Sequence, residues 1–288
     1  MSSLILNVVV QGGLTGLVYG LMALGLSVIF GVVRVVNFAH GELVVLAMYA
    51  AFGLWRSFGL DPLVGTLPVA VVFFGLGYLL QTTLINPFIG RAEHEQFILL
   101  VGLGMVIVNG LLMIFRPDAR PINLAYGFDS YEVGPLLIYK VNLLAGAAAV
   151  VVAAALFVFF RWTATGTAIR ACADNLTGAA VVGLNVRRLY ALTFGIGLAC
   201  VGAAGALMVT IVEVRPALAP SFTLLAFIIV IIGGLGSMGG ALLGGVLIGV
   251  SEALAGFFFE PSMKSMFSFG LLILVLVLRP QGLLGRRA

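Results

Sequence analysis

The chain has 288 residues, of which 62% are hydrophobic and 9% are charged, and its formal net charge is +4. A soluble protein of this size could not bury so much apolar surface, so we expect one transmembrane domain over residues 1–288 with lipid as its main solvent. The small positive charge requires no nucleic-acid partner, because arginines at the cytoplasmic ends of membrane spans account for it. We interpret the first apolar run as a retained span.

Nine apolar runs follow one another and predict an all-α polytopic helical bundle with eight or nine membrane segments. A span needs about 20 residues to cross a hydrocarbon core of about 30 Å. The second run, from Leu43 to Trp55, is shorter, so it is either a short span or a half-helix that begins at a re-entrant break within the membrane. The runs cover residues 6–33, 43–55, 63–85, 97–115, 141–160, 189–212, 221–232, 240–259 and 265–278.

Glycines repeat every four residues in the first and eighth runs. Gly12, Gly16 and Gly20 share one helical face in the first run, and the eighth run has GxxxG pairs that begin at Gly240 and Gly245. Small residues at this spacing let two helix backbones approach each other closely. The pattern therefore predicts tight helix packing.

The distribution of lysine and arginine predicts the orientation. We place residues 86–96, residues 161–188 and the C-terminal tail in the cytoplasm, which collects most arginines there and leaves the majority of acids on the other side. The position of the N-terminus depends on the second run. It is outside if that run is a full span and inside if the run is a half-span.

The longest stretch between spans that is not itself membrane-like runs over residues 161–188 and has an apolar stripe at helical spacing. Asn175 and Thr177 are residue types that suit helix caps, so the stretch is expected to divide into two short helices. One interpretation is an amphipathic helix in the lipid headgroups, and the other is a segment that docks into another protein. The stretch is rich in alanine and glycine, which makes its apolar side too weak for an interfacial helix and favours docking. The stripe comprises Ile169, Ala173, Leu176, Ala180 and Leu184.

Four polar residues lie in or near the spans and are candidates for a substrate pathway. Asn37, His40 and Glu42 follow the first run, and Glu252 lies near the middle of the eighth. Ionisable residues at membrane depth are costly and suggest function. The alternative for the first three is a place at headgroup level. For Glu252 we favour a structural role, in which it faces the bundle and hydrogen-bonds a neighbouring helix.

Motifs for catalysis and for nucleotide binding are missing from the sequence. No GxxxxGK[ST] motif is present, so the glycine block 233–240 is expected to form a turn and close packing and not a phosphate loop. There are two histidines, no HExxH motif and no cysteine cluster, so we expect no metal site, no cofactor and no enzymatic activity. Cys172 and Cys200 are predicted to lie in a cytoplasmic loop and in a span, which excludes a disulfide.

RACADNLTGAAVVGLNVRR, residues 170–188, resembles the cytoplasmic coupling segment of the LivH type of branched-chain amino acid ABC transporter permeases. VNFAHGE (36–42), GGLGSMGGALLGG (233–245), SEAL (251–254) and RPQGLLGR (279–286) are similar to further motifs of that family, in the same order. Arg170, Asp174, Gly183 and neighbouring residues fit the family's pattern as they stand. The resemblance implies that the segment contacts an ATPase through Gly166, Arg170, Ala171, Asp174, Asn175, Ala179 and Gly183.

The resemblance implies an importer assembled from several chains in the bacterial inner membrane. This chain and a second homologous permease subunit would form a heterodimeric pore. Two cytoplasmic ATPase subunits would supply the energy and a periplasmic substrate-binding protein would deliver the amino acid. An ion-gradient-driven secondary amino-acid transporter is the alternative, and it would use Glu42 and Glu252 as ion or proton sites. The scarcity of His, Asp and Cys argues against a membrane enzyme.

Overall fold

The computed structural model describes residues 2–134, 136–260 and 263–285, and these form a helical bundle with one small β-hairpin. The helices are α1 Ser2–Val33, α2 His40–Phe58, α3 Pro62–Leu80, α4 Glu93–Phe115, α5 Lys140–Trp162, α6 Ala164–Asp174, α7 Leu176–Val181, α8 Val186–Met208, α9 Ala219–Gly233, α10 Met238–Phe258 and α11 Lys264–Leu278. Strands β1 Ser130–Val133 and β2 Leu136–Tyr139 pair antiparallel. A π-helical turn, Gln81–Ile85, extends α3.

Seven of these helices are long and apolar enough to cross a membrane, namely α1, α3, α4, α5, α8, α10 and α9, the last together with the 3-10 turn Pro216–Leu218 that precedes it. The prediction of a polytopic helical bundle is thereby confirmed. The remaining two predicted segments correspond to α11, which has 15 residues, and to α2, which has 19 residues with Glu42 and Arg56 near its ends. The hairpin in the loop between α4 and α5 was not predicted.

The predicted glycine packing is present where α1 crosses α10. A Cβ atom at Gly16 would lie 2.6 Å from the Gly245 carbonyl oxygen, and one at Gly20 would lie 3.0 Å from the Leu242 Cα. Gly12 meets Gly249 in the same way. The two helices run antiparallel with their backbones in direct contact, which only glycine permits at these positions.

Helix α8 is the central helix of the bundle, and small residues bring it close to three neighbours. Gly197 approaches Gly25 of α1, Gly205 approaches Ala47 of α2, and Gly195 faces α3. Almost every residue from Leu189 to Met208 is buried. Since α8 directly follows α7, the most enclosed helix of the bundle is joined to the segment outside it.

The bundle has two ends, which we call the α6 face and the hairpin face. The α6 face contains α6, α7 and the C-terminal ends of α1 and α5. The hairpin face contains β1, β2 and the N-terminal part of α1, where the Leu137 N–H donates to Asn7 Oδ1 at 2.8 Å. The N-terminus therefore lies at the end opposite to α6.

Helix α2 begins in the middle of the bundle and ends at the hairpin face. Nε2 of its first residue, His40, lies 3.1 Å from the Met22 carbonyl oxygen. Met22 lies about 16 Å before the C-terminal end of α1 at Val33. Residues 34–39 are not helical and lead the chain back to that depth. Farther along α2, Tyr49 stacks on Phe115 at the end of α4. Residues 34–39 return the chain to mid-depth, so α1 and α2 together carry it from the hairpin face back to the hairpin face. Which of the two faces is cytoplasmic stays a prediction.

Candidate functional site

Residues 161–188 form two short helices, as predicted, with the break at Asn175. The Thr163 hydroxyl accepts from the Gly166 N–H at 2.9 Å and caps α6, and Asn175 Oδ1 accepts from the Gly178 N–H at 2.8 Å and caps α7. Gly183 has a φ of +85°, a left-handed conformation that favours glycine and turns the chain towards α8. Each cap is a local hydrogen bond encoded by one residue.

The five residues of the predicted apolar stripe do not share one environment. Ile169 is fully buried, Ala173 and Leu184 are half-buried, and Leu176 and Ala180 are exposed. The break at Asn175 changes the helical phase, so that Ala179 becomes the buried residue of α7. The stripe was counted at one continuous helical spacing across the predicted break, and the cap at Asn175 interrupts that spacing.

The seven residues expected to contact an ATPase divide into two groups. Gly166 and Ala179 are buried, and a Cβ at Gly166 would lie 2.7 Å from the Cα of Phe160 at the end of α5. These two residues hold the segment against the bundle. The others lie on its exposed surface: Arg170, Ala171, Asp174, Asn175 and Gly183.

A cavity of about 780 Å³ lies between α6, the end of α1 and the glycine turn at residues 234–237. Thr167, Arg170 and Asp174 line it from one side of α6, and Arg34 lines it from α1. The Ser27 hydroxyl, which is completely buried, also lines it and has no hydrogen-bond partner among the described residues. The cavity therefore separates part of the α6–α7 segment from the end of α1.

The Cys172 side chain lies on the buried side of α6. Burial raises the pKa of its thiol above the ordinary value for cysteine. Both cysteines are free and buried within the described part of the chain, in accordance with the prediction of no disulfide. Cys172 thus contributes to packing and not to an exposed reactive site.

The Glu42 side chain lies where α2, α4 and α9 meet. The Thr223 hydroxyl of α9 donates to Glu42 Oε2 at 3.1 Å and accepts from the Gly41 N–H at 2.8 Å. A Cβ at Gly104 of α4 would lie 3.3 Å from the Glu42 carboxyl carbon. Glu42 is half-buried and lies in the first turn of α2. The Glu42 carboxylate therefore lies at the depth where α2 begins, and one side of the residue is not covered by the bundle.

Asn37 and His40 are completely buried and hold the break before α2. Asn37 Oδ1 accepts from the Ala39 N–H at 3.1 Å. His40 Nε2 donates to the Met22 carbonyl oxygen, since a carbonyl can only accept. Asn37 Nδ2 and His40 Nδ1 have no partner among the described residues. Of the three residues, Glu42 is the one that reaches an open surface.

Glu252 links three helices within the bundle. The Ser268 hydroxyl of α11 donates to Glu252 Oε1 at 3.0 Å, and the Tyr19 hydroxyl of α1 lies near enough to interact with this carboxyl group. Lys264 of α11 is near enough to interact electrostatically with Glu252. The side chain faces the bundle and bonds to a neighbouring helix, as the favoured interpretation expected. Glu42 and Glu252 belong to separate clusters.

The sequence prediction did not include the partners of these acids. Thr223, Tyr19 and Ser268 are hydroxyl residues within apolar runs. A search for hydroxyl residues in the predicted spans would have found them among several others. It could not have paired them with Glu42 or Glu252, because the pairs are far apart in the chain.

Tyr126 anchors the loop of the hairpin face. Its hydroxyl donates to Asp61 Oδ2 at 2.6 Å, and Asp61 Oδ1 accepts from the Leu63 N–H at 2.8 Å. Burial, together with this hydrogen bond, raises the pKa of Tyr126. The loop before α5 is thereby attached to the start of α3.

Comparison with known proteins identifies the family. The model of "Branched-chain amino acid transport system / permease component" matches residues 8–276. The chain is similar to the high-affinity branched-chain amino acid transport system permease protein BraD of Pseudomonas aeruginosa, with 32% identity over 98% of this chain and 96% of that protein. It is similar to LivH of Escherichia coli K12, with 31% identity over 96% and 94%.

A more distant relative is the probable branched-chain amino acid transport permease protein LivH of Methanocaldococcus jannaschii, with 25% identity over 92% of this chain and 88% of that protein. No solved structure matched the chain. The family match covers the spans, the α6–α7 segment and the break before α2. The chain therefore belongs to the family of permease components of the branched-chain amino acid transport system.

Proposed function

We propose that this chain is the permease subunit of an ATP-driven importer of branched-chain amino acids in the bacterial inner membrane. The observation that carries the proposal is the family match over residues 8–276. The complete importer has a second homologous permease, two cytoplasmic ATPases and a periplasmic substrate-binding protein. In this proposal α2 and α11 complete nine membrane segments, and residues 161–188 face the cytoplasm.

Energy enters through the α6–α7 segment. The chain has no Walker A motif, so ATP is bound and hydrolysed by the partner subunits. Each ATPase contacts the exposed residues of one such segment, chiefly Arg170, Ala171 and Asp174. Closure of the two ATPases shifts the population between inward-open and outward-open states of the pore. The buried Gly166 and Ala179 transmit the movement because they attach the segment to α5 and α8.

The substrate passes along the side of the bundle on which Glu42 lies. The start of α2 places the partial positive charge of a helix N-terminus at mid-depth, which suits the carboxylate of an amino acid. Glu42, held by Thr223, offers a negative group for the ammonium. Phe38, which contacts Phe97 and Phe227, provides apolar surface for a branched side chain. We assign Glu252 a structural role, in which it attaches α11 to the rest of the bundle.

Reconstitution of the purified importer in proteoliposomes tests the proposal. Uptake of labelled leucine should require ATP inside the vesicles and the two ATPase subunits, and affinity purification should recover both ATPases with a second permease. Uptake that follows a proton or sodium gradient without an ATPase would contradict it.

The double variant Arg170→Ala with Asp174→Ala tests the docking segment. We expect ATP-dependent uptake to be lost, because both charged groups of the α6 contact are removed, while the protein still inserts. The matched control is Arg91→Ala with Glu95→Ala, which removes an exposed ion pair of 3.4 Å outside the segment. Equal uptake by both double variants would exclude this docking surface.

The Glu42→Gln variant tests the pathway. The amide can still accept from Thr223, so the fold should be retained, but the negative charge for the substrate ammonium is lost. We expect impaired uptake with the ATPases still bound, whereas Glu213→Gln, at an exposed acid of the hairpin face, should transport normally. Unchanged uptake by Glu42→Gln would assign the residue to structure alone.

A further inference from the structure

A second concave surface lies at the α6 face, where the end of α5 meets α6 and the start of α10. We call it the basic groove, and it has a volume of about 520 Å³. Its main lining residues are Phe157, Val158, Arg161, Trp162, Arg170 and Met238. The groove thus combines two guanidinium groups with apolar and aromatic side chains.

The lining of the basic groove carries two positive charges and no negative one. None of its lining residues is acidic. Within the described part of the chain, the ion pairs join Arg91 to Glu95 and Lys140 to Asp129, so neither Arg161 nor Arg170 is paired with a carboxylate. Asp174 lines the adjacent cavity and not the groove. An occupant of the groove is therefore expected to be an anion.

The depth of the groove indicates that the anion is attached to a lipid. Helix α5 has 23 residues and is about 34 Å long, close to the hydrocarbon thickness of about 30 Å. Arg161 and Trp162 form its last turn and lie at headgroup level, where tryptophan is enriched in membrane proteins. The Trp162 side chain is 75% exposed, and Phe157 and Val158 are exposed one turn deeper. Acyl chains would contact these apolar residues, which a soluble anion could not.

We propose that the basic groove binds an anionic phospholipid. The headgroup phosphate lies between Arg161 and Arg170, and an acyl chain lies along Phe157 and Val158. Arginines in pockets between helices at the membrane surface suit such headgroups. Because Arg161 belongs to α5 and Arg170 to α6, the lipid joins the end of a span to the exposed segment. The proposal is independent of the transported substrate, but Arg170 also belongs to the proposed ATPase contact, so the lipid site is tested by a binding measurement without the ATPases.

Tryptophan fluorescence provides a direct test because the chain has two tryptophans, Trp55 and Trp162. In the Trp55→Phe variant the remaining reporter lies in the groove. The protein is reconstituted in phosphatidylcholine vesicles with equal mole fractions of brominated phosphatidylglycerol or brominated phosphatidylcholine. We expect the phosphatidylglycerol to quench Trp162 with a relative affinity about fivefold higher for each arginine that contacts the phosphate.

Charge-matched variants separate specific binding from general attraction. In the Trp55→Phe background, Arg161→Gln with Arg170→Gln should abolish the preference, and Arg161→Lys with Arg170→Lys should retain most of it. Arg187→Gln with Arg188→Gln removes the same charge from the same face outside the groove and should leave the preference unchanged. Equal quenching by both lipids, or an equal loss in the two Gln pairs, would overturn the proposal. Added inorganic phosphate should not displace the lipid, and displacement would identify a soluble-anion site instead.

Discussion

The contact between α1 and α10 predicts that one methyl group at Gly16 destabilises the bundle. The new Cβ would lie 2.6 Å from the Gly245 carbonyl oxygen and 2.7 Å from the Val246 Cα, and both are backbone atoms that no rotamer change can move. The helices would have to separate from 2.6 Å to the 3.4 Å at which ordinary van der Waals contact begins. Such overpacking costs about 1–3 kcal/mol.

The matched control is Gly75→Ala in α3, where a Cβ has nothing within 4 Å. Alanine is favoured over glycine inside a helix by up to about 1 kcal/mol, and this gain is common to both variants. The difference in stability between them therefore isolates the packing cost. At roughly 2–4 °C per kcal/mol, Gly16→Ala should unfold several degrees below Gly75→Ala in detergent. A Gly16→Ala protein as stable as Gly75→Ala would refute the close backbone contact.

Two further predictions concern buried polar groups. Ser268→Ala removes a hydrogen bond to Glu252 and should lower the stability measured by thermal unfolding by about 1.5–3 kcal/mol. Glu252→Gln should lower it less, because the amide oxygen still accepts this hydrogen bond. A larger loss of stability in Glu252→Gln would show that the negative charge itself is required. Burial raises the pKa of Cys172, so the fraction of its thiol that is ionised at pH 7 is small. Maleimide should therefore label Cys172 more slowly than it labels a cysteine introduced by Ala171→Cys in the Cys172→Ser background. The labelling rate of Cys172 should increase as the pH rises. Equal labelling rates at pH 7, measured by mass spectrometry, would contradict the buried position.

Helices set by local signals were predictable from the sequence. The spans follow from the length of their apolar runs, and the break at Asn175 follows from a capping side chain that acts three residues away. The glycine spacing at Gly12, Gly16 and Gly20 predicted a close helix contact. It did not identify α10 as the partner, because that choice depends on the arrangement of the whole bundle.

Features that depend on tertiary position were not predictable from a pattern. The stripe through Leu176 failed because the cap at Asn175 resets the helical phase. The path of residues 34–39 depends on the place that α9 leaves for the start of α2, where Gly41 packs against Ala219 and Thr223. Within the candidate site, Glu42 was found from its charge in an apolar region, but its hydrogen bond to Thr223 joins residues 181 positions apart.

The small residues of α8 have a mechanical consequence. Close contacts of this kind leave little free space in which side chains could absorb a displacement, so helices joined in this way are expected to move together. If an ATPase docks on α6 and α7 as proposed, a displacement would enter α8 at Asn185 and pass to α1, α2 and α3 at Gly197, Gly205 and Gly195. Helix α4 contacts α2 through aromatic rings and through Glu42. Such side-chain contacts would allow one helix to slide along the other. We therefore expect α1, α2, α3 and α8 to move together and α4 to move relative to them, and this motion would open or close the side on which Glu42 lies.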